Sequence, residues 1–150
     1  MALYSNWLLG VLKGDFAVTD WDSDNFKCAL FTQAASTLVT NSTGLTYWSS
    51  LTSGEVVGTG YTASGQAMSG MTIAFNGHNP TKIKLSASNN AWPSSTITAR
   101  YAVVYKSSGN PATSPLICWV DFGSDQSSSS GTFEIQWNAS GIVEISMPNS

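Results

Sequence analysis

Residues 97 to 137 limit the possible folds most tightly, because three apolar runs there are separated by stretches rich in turn-forming residues. In the first run Ile97, Ala99, Tyr101, Val103 and Tyr105 fall on one side of an extended chain, with Thr98, Arg100 and Lys106 on the other. The third alternates in the same way, with Phe133, Ile135 and Trp137 set against Thr132, Glu134 and Gln136. Between them, Leu116 to Phe122 is apolar on both sides until Asp121, the pattern of a strand covered on both faces. The segment from Ser107 to Pro115 cannot run on as a strand, since Pro111 and Pro115 lack the amide donor and Gly109 favours a turn. Gly123 to Gly131 reads as a second exposed polar loop.

Strand patterns recur along the chain. Phe26 to Thr32 is one, and Met71, Ile73 and Phe75 alternate in another. After a turn at Gly77-His78-Asn79-Pro80, Ile83, Leu85 and Ala87 alternate against Lys82, Lys84 and Ser86, which predicts a hairpin with one wet face. Val143, Ile145 and Met147 form a closing strand that Pro148 terminates. Seven to eight strands at this spacing predict an all-β chain, one antiparallel β-sandwich domain over residues 1–150, jelly-roll-like or immunoglobulin-like. The start of the chain differs. Leu3, Tyr4, Trp7, Leu8, Val11 and Leu12 recur at the helical period and Gly14 stands where a C-terminal cap belongs, so residues 1–14 read as a short amphipathic helix or docking segment. Gly10 weakens that helix by about 1 kcal/mol relative to alanine. Residues 33–66 are the least regular, with Leu45, Trp48 and Leu51 spaced for one helical turn.

Composition removes several function classes. Charged residues make up 10% of the chain, against about 25% in an average soluble protein, and the six Lys and Arg are scattered. With a net charge of -3 there is no basic stripe for a phosphate backbone, so no direct nucleic-acid partner is expected. No apolar run reaches the roughly 20 residues of a membrane helix, and the first residues lack the basic region of a signal peptide, which leads us to expect a chain made and kept in a cytoplasm. Cys28 and Cys118 lie inside strand patterns and are expected as buried free thiols.

Few residues suggest chemistry. The lone His78 has no acid at a recognisable spacing, and Ser127 to Ser130 has no adjacent base, so no catalytic residue is assigned and no enzyme is expected. Asp20, Asp22 and Asp24 alternate like the start of a calcium loop, but Asn25 and Phe31 stand where an EF-hand needs Gly and Glu. They remain a weak metal candidate beside the reading of a solvated turn, and no cofactor is expected. Gly58 and Gly60 lack the Lys-Ser or Lys-Thr of a phosphate loop and read as tight turns, with Tyr61 packing nearby. Among the six tryptophans, Trp119 and Trp137 sit in strands, whereas Trp7, Trp21, Trp48 and Trp92 are either lids over the sandwich ends or contact anchors. The candidate partner-binding set is Leu3, Tyr4, Trp7, Leu8, Val11, Trp21 and Trp48.

The order of segments also carries a resemblance. An N-terminal helix is followed by Asp-x-Asp-x-Asp before Phe-Lys-Cys-Ala-Leu, then Glu-Val-Val-Gly-Thr-Gly-Tyr-Thr, Ile-Thr-Ala-Arg-Tyr-Ala-Val-Val-Tyr-Lys and Asp-Phe-Gly-Ser-Asp-Gln-Ser-Ser-Ser-Ser-Gly-Thr-Phe. This resembles small virion structural proteins of tailed bacteriophages over most of the chain. Cys28, Cys118 and Ala63-Ser64-Gly65 depart from the common pattern. The resemblance implies a noncatalytic head decoration, or cement, protein on the outer capsid surface. Its partner would be the major capsid protein, and it would often be a trimer. A tail or baseplate component and a carbohydrate-binding adhesion module that stacks sugars on exposed Trp and Tyr are the alternatives.

Overall fold

The computed structural model describes residues 1–16, 20–23, 25–78 and 81–147. A short strand β1 (Ala2–Leu3) leads into helix α1 (Ser5–Lys13), and β2 (Phe26–Phe31) follows. A layer of 3-10 turns at Gln33–Ala35 and Trp48–Ser50, with the one-turn helix α2 (Ser36–Val39) between them, precedes β3 (Gln66–Ala67). The remaining strands are β4 (Thr72–His78), β5 (Thr81–Ser86), β6 (Asn90–Lys106), β7 (Leu116–Ile135) and β8 (Val143–Met147). They form two antiparallel sheets, a five-stranded one in the order β1-β7-β6-β2-β3 and a three-stranded one in the order β4-β5-β8. The sandwich expected from sequence is therefore present in a five-plus-three form. The Asn79-Pro80 turn, Pro148 and Asp24 lie outside the described residues.

The five-stranded sheet is the central layer, which explains why Phe26 to Phe31 is buried at all but Lys27 and Leu116, Ile117 and Cys118 are wholly buried. One face, built on Ala29, Phe31, Tyr101, Val103, Tyr105 and Leu116, packs under Ala35, Val39 and Leu45 of the irregular segment. Toward α1 and the second sheet, Phe26, Val104, Ile117 and Cys118 meet Trp7, Trp21, Leu85, Ile142 and Val143. Each large apolar side chain buried this way stabilises by about 1.5 to 3 kcal/mol.

Two features differ from the sequence reading. Residues 123–131 are part of β7 and not a loop, because the long partner β6 supplies hydrogen bonds to an otherwise polar run. Thr98 and Ser127 hydroxyls lie 2.8 Å apart, and those of Ser95 and Ser128 2.7 Å. In addition, Ile97 and Ala99 do not share a cluster with Tyr101, Val103 and Tyr105; they pack with Cys28, Leu30, Ala102 and Phe133. The changeover coincides with a register shift between Ala99 and Tyr101, where Phe122 to Asp125 bulge out of β7. That bulge, with others near Ser95, folds the hairpin back so that Phe122 lies 6.1 Å from Phe133.

The helix begins later than expected, at Ser5, because Ala2 and Leu3 pair with Trp119 and Cys118. Gly14 ends it in the left-handed region at φ 76. Gly10 is there for space: a Cβ would strike the Phe16 ring.

Both cysteines are free and buried. Cys28 pairs with Val104, and Val104 with Cys118 on its other side. Two strand spacings of about 4.8 Å put the two Cα atoms farther apart than the roughly 7 Å a disulfide tolerates between them. Burial pushes the Cys118 thiol up to about 12 and Cys28 in the same direction. Burial, aided by the Glu55 carboxylate, raises Tyr105 to about 12, and burial also raises Tyr4 and Tyr61. In the unfolded chain these groups ionise from about pH 8.5 for Cys and 10 for Tyr. Their contribution is complete below those values and is lost as pH rises toward 12, by about 1.4 kcal/mol per pH unit for each group. Urea midpoints should therefore fall steeply above about pH 9, with both thiols silent to iodoacetamide in the native state. A midpoint flat to about pH 11 contradicts this.

Candidate functional site

The residues singled out from sequence divide by burial. Tyr4 is wholly buried, with its hydroxyl donating to Val39 O at 2.8 Å. Trp7 is 5% exposed and Trp21 2% exposed, both packed against the second sheet. Trp21 donates its Nε1 proton to Ser86 O at 2.9 Å and lies 4.5 Å from the Phe26 ring. These three are core residues and cannot serve as contact anchors in this fold. Trp92 is likewise buried, edge-on to Phe133. Leu3 and Leu8 are half-buried against the same cluster as Trp7. Val11 remains exposed, and it is joined by two helix residues, Leu9 and Leu12, the latter 77% exposed. Sequence periodicity assigned Leu12 to the buried face and did not single out Leu9; with Ser5, Asn6 and Lys13 its polar residues, the helix has an apolar arc wider than the part that docks, so spacing alone could not tell which part would be left out.

A second exposed apolar set lies on the three-stranded sheet. Register places Ile73 beside Leu85 and Val143, and Phe75 beside Ile83 and Ile145. Residues directly opposite one another project from the same face, so these form one apolar face. The Leu85 and Val143 end is buried, but Ile73 is exposed, Phe75 is 71% exposed and Met147 is also open to solvent. β4 is an edge strand without a single Asp, Glu, Lys or Arg to blunt it.

The aspartate turn has the character of a solvated turn. Asp20 and Asp22 are exposed, and the Ser23 hydroxyl holds the Asp20 carboxyl below its usual range. Among the described residues no group of three or more His, Cys, Asp and Glu is placed to hold a metal ion. The backbone of His78 closes β4 opposite Thr81. No helix among the described residues is long and apolar enough to cross a membrane.

Glu55 carries a polar clasp that sequence reading missed. Its Oε1 accepts from the Tyr61 hydroxyl at 2.8 Å and from Ser64 N at 2.6 Å. The Tyr61 oxygen in turn accepts from Leu30 N at 3.0 Å, and the Tyr105 hydroxyl donates to Ser64 O at 2.7 Å. The turn holding Gly58 and Gly60 is thus fastened to the edge of β2. Tyr61→Phe leaves the Leu30 amide without its acceptor, and thermal or urea unfolding should report a loss of about 1 to 3 kcal/mol. On β6 and β7, Arg100 and Asp121 form an exposed pair at 2.5 Å, which lowers the Asp121 carboxyl. Its contribution to stability is small at such exposure.

Trp48, the last candidate, lies flat on Tyr105 with ring centroids 4.2 Å apart, and its half-buried indole borders a small cleft. A neighbouring cleft of about 290 Å³ is bordered by Asp15, Phe16, Tyr47 and Lys106. The exposed apolar candidates are thus two sets, Leu9, Val11 and Leu12 on α1 and Ile73, Phe75 and Met147 on the small sheet. Compared with protein-family models, with curated proteins and with solved structures, the chain matches none.

Proposed function

We propose that this chain is a noncatalytic structural component of a phage particle, a decoration protein that sits on the outer surface of the head and bridges neighbouring capsomers. The observation that carries the reading is the exposed apolar surface. Large side chains on α1 and β4 remain in water although the same chain buries three tryptophans in its core. Exposed apolar patches of this kind are the mark of surfaces that dock, and β4, an edge strand, adds unpaired backbone groups beside them. The segment resemblance supplies the partner, the major capsid protein, and a trimeric state. Repetition over a lattice supplies strength, so each contact can be smaller than the roughly 1,200 to 2,000 Å² of a standard interface.

The test is direct. Purified protein should bind expanded, DNA-free heads to a fixed stoichiometry and raise the temperature at which they rupture. Heads that neither bind it nor gain heat resistance would refute the reading, and immuno-gold labelling confined to tails would replace it with a tail or baseplate role.

A further inference from the structure

Where the irregular layer over the five-stranded sheet ends, it leaves a cleft of about 150 Å³ bordered by Lys27, Trp48, Ser64, Tyr105, Ser107 and Ser114. Its floor follows from register. Lys27 pairs with Tyr105 across β2 and β6, so both side chains leave the same face of the sheet. The Trp48 ring is stacked on Tyr105 at an interplanar angle of 18° and meets the Phe31 ring edge-on at 5.8 Å, which fixes the plane of the indole. On one side the wall is Ser64, held by Tyr105 and Glu55 in the left-handed region at φ 70, a conformation that a serine adopts only when its surroundings impose it. On the other, the 107–115 loop is knitted by the Ser108 hydroxyl, 2.7 Å from that of Thr113 and 3.1 Å from that of Ser114. The walls are therefore pinned before any ligand arrives.

The charges there leave one group unspent. Among the described residues no carboxylate pairs with the Lys27 amine. The Glu55 carboxylate has one oxygen taken up by the Tyr61 hydroxyl and the Ser64 amide. Lys106 pairs with Phe26, one register position away, and so belongs to the opposite face. A fixed aromatic, a half-buried Ser107 hydroxyl and an ammonium with no carboxylate partner among the described residues surround a space well below the roughly 300 Å³ at which drug-sized pockets begin.

We infer that this cleft binds a single acidic sugar, a pyranose bearing a carboxylate. The electron-rich indole of Trp48 receives the C–H face of the ring, the Ser107 hydroxyl meets a ring hydroxyl, and Lys27 receives the carboxylate as a charge-assisted hydrogen bond. A neutral sugar lacks the last contact and a simple anion lacks the first. The site is on the face of the central sheet turned away from the three-stranded sheet, and it does not depend on the head-binding reading.

The test titrates the whole chain with glucuronate, glucose and acetate at constant ionic strength, following amide and indole N–H chemical shifts. Glucuronate should saturate with a dissociation constant of about 1 mM and move the Trp48 indole, Lys27 and Ser107 signals, with glucose about tenfold weaker. Lys27→Gln should reduce glucuronate to the level of glucose at an unchanged melting temperature, and Trp48→Phe should weaken both sugars. Absence of saturation by about 100 mM glucuronate overturns the inference. So does a response that acetate reproduces, which marks an anion site only, or one that Lys27→Gln leaves intact.

Discussion

Trp21→Ala is expected to lower stability by about 3 to 5 kcal/mol, enough to unfold a marginal domain at moderate temperature. The side chain is 2% exposed, and it joins layers that are distant in sequence. Its ring packs on Phe26 of the central sheet while its Nε1 proton goes to Ser86 at the end of β5, 65 residues away. Truncation removes the burial, opens a cavity between the sheets and strips the Ser86 carbonyl of its donor. Trp7 makes the contrast. Its Nε1 is buried without an acceptor among the described residues, so Trp7→Phe removes a group that gains nothing there and should cost less than Trp21→Phe. Calorimetric or urea unfolding of the variants checks both statements. A Trp21→Ala protein as stable as the parent would return this residue to the surface and undo the description of the core.

The second large effect is on binding, not folding. On the proposed head-binding role, Phe75→Lys combined with Leu12→Lys should weaken attachment to heads by about 100-fold, since a few anchor side chains carry most of the energy of such contacts. The same changes should move stability by only about 0.5 kcal/mol each, because both positions are exposed. A lysine in the last turn of α1 also suits the helix dipole, and on an edge strand it guards against self-association. Sedimentation with heads, paired with a melting curve, separates the two readouts. Unchanged attachment would show that neither α1 nor β4 carries the contact.

How far the sequence went depends on which residues are asked about. Strands whose apolar residues recur at every second position, such as β5 with Ile83 and Leu85 and β8 with Val143, Ile145 and Met147, were legible from that alternation in the sequence itself. The serine-rich run of β7 was not. Nothing in Gly-Ser-Asp-Gln-Ser-Ser-Ser-Ser-Gly favours extension, and the strand exists because Thr98, Ser95 and the β6 backbone lie opposite it. Trp21 was ambiguous for a related reason. A tryptophan in a turn reads the same whether it faces solvent or a partner strand 65 residues on. Glu55 left no trace, since its donors Tyr61 and Ser64 meet it only once the turn has closed on β2. The exposed surface was half legible: the helix was found by its period, but an apolar arc wider than the docked face gives no sign of which part stays wet.

The most direct measurement is an electron-microscopy map of the native particle. The account predicts this fold in regular copies on the outer head surface, with Phe75, Ile73 and the Leu9 and Leu12 side of α1 turned toward the shell or a neighbouring copy. A head surface without this fold, or copies that present those residues to solvent and touch the shell elsewhere, would contradict it.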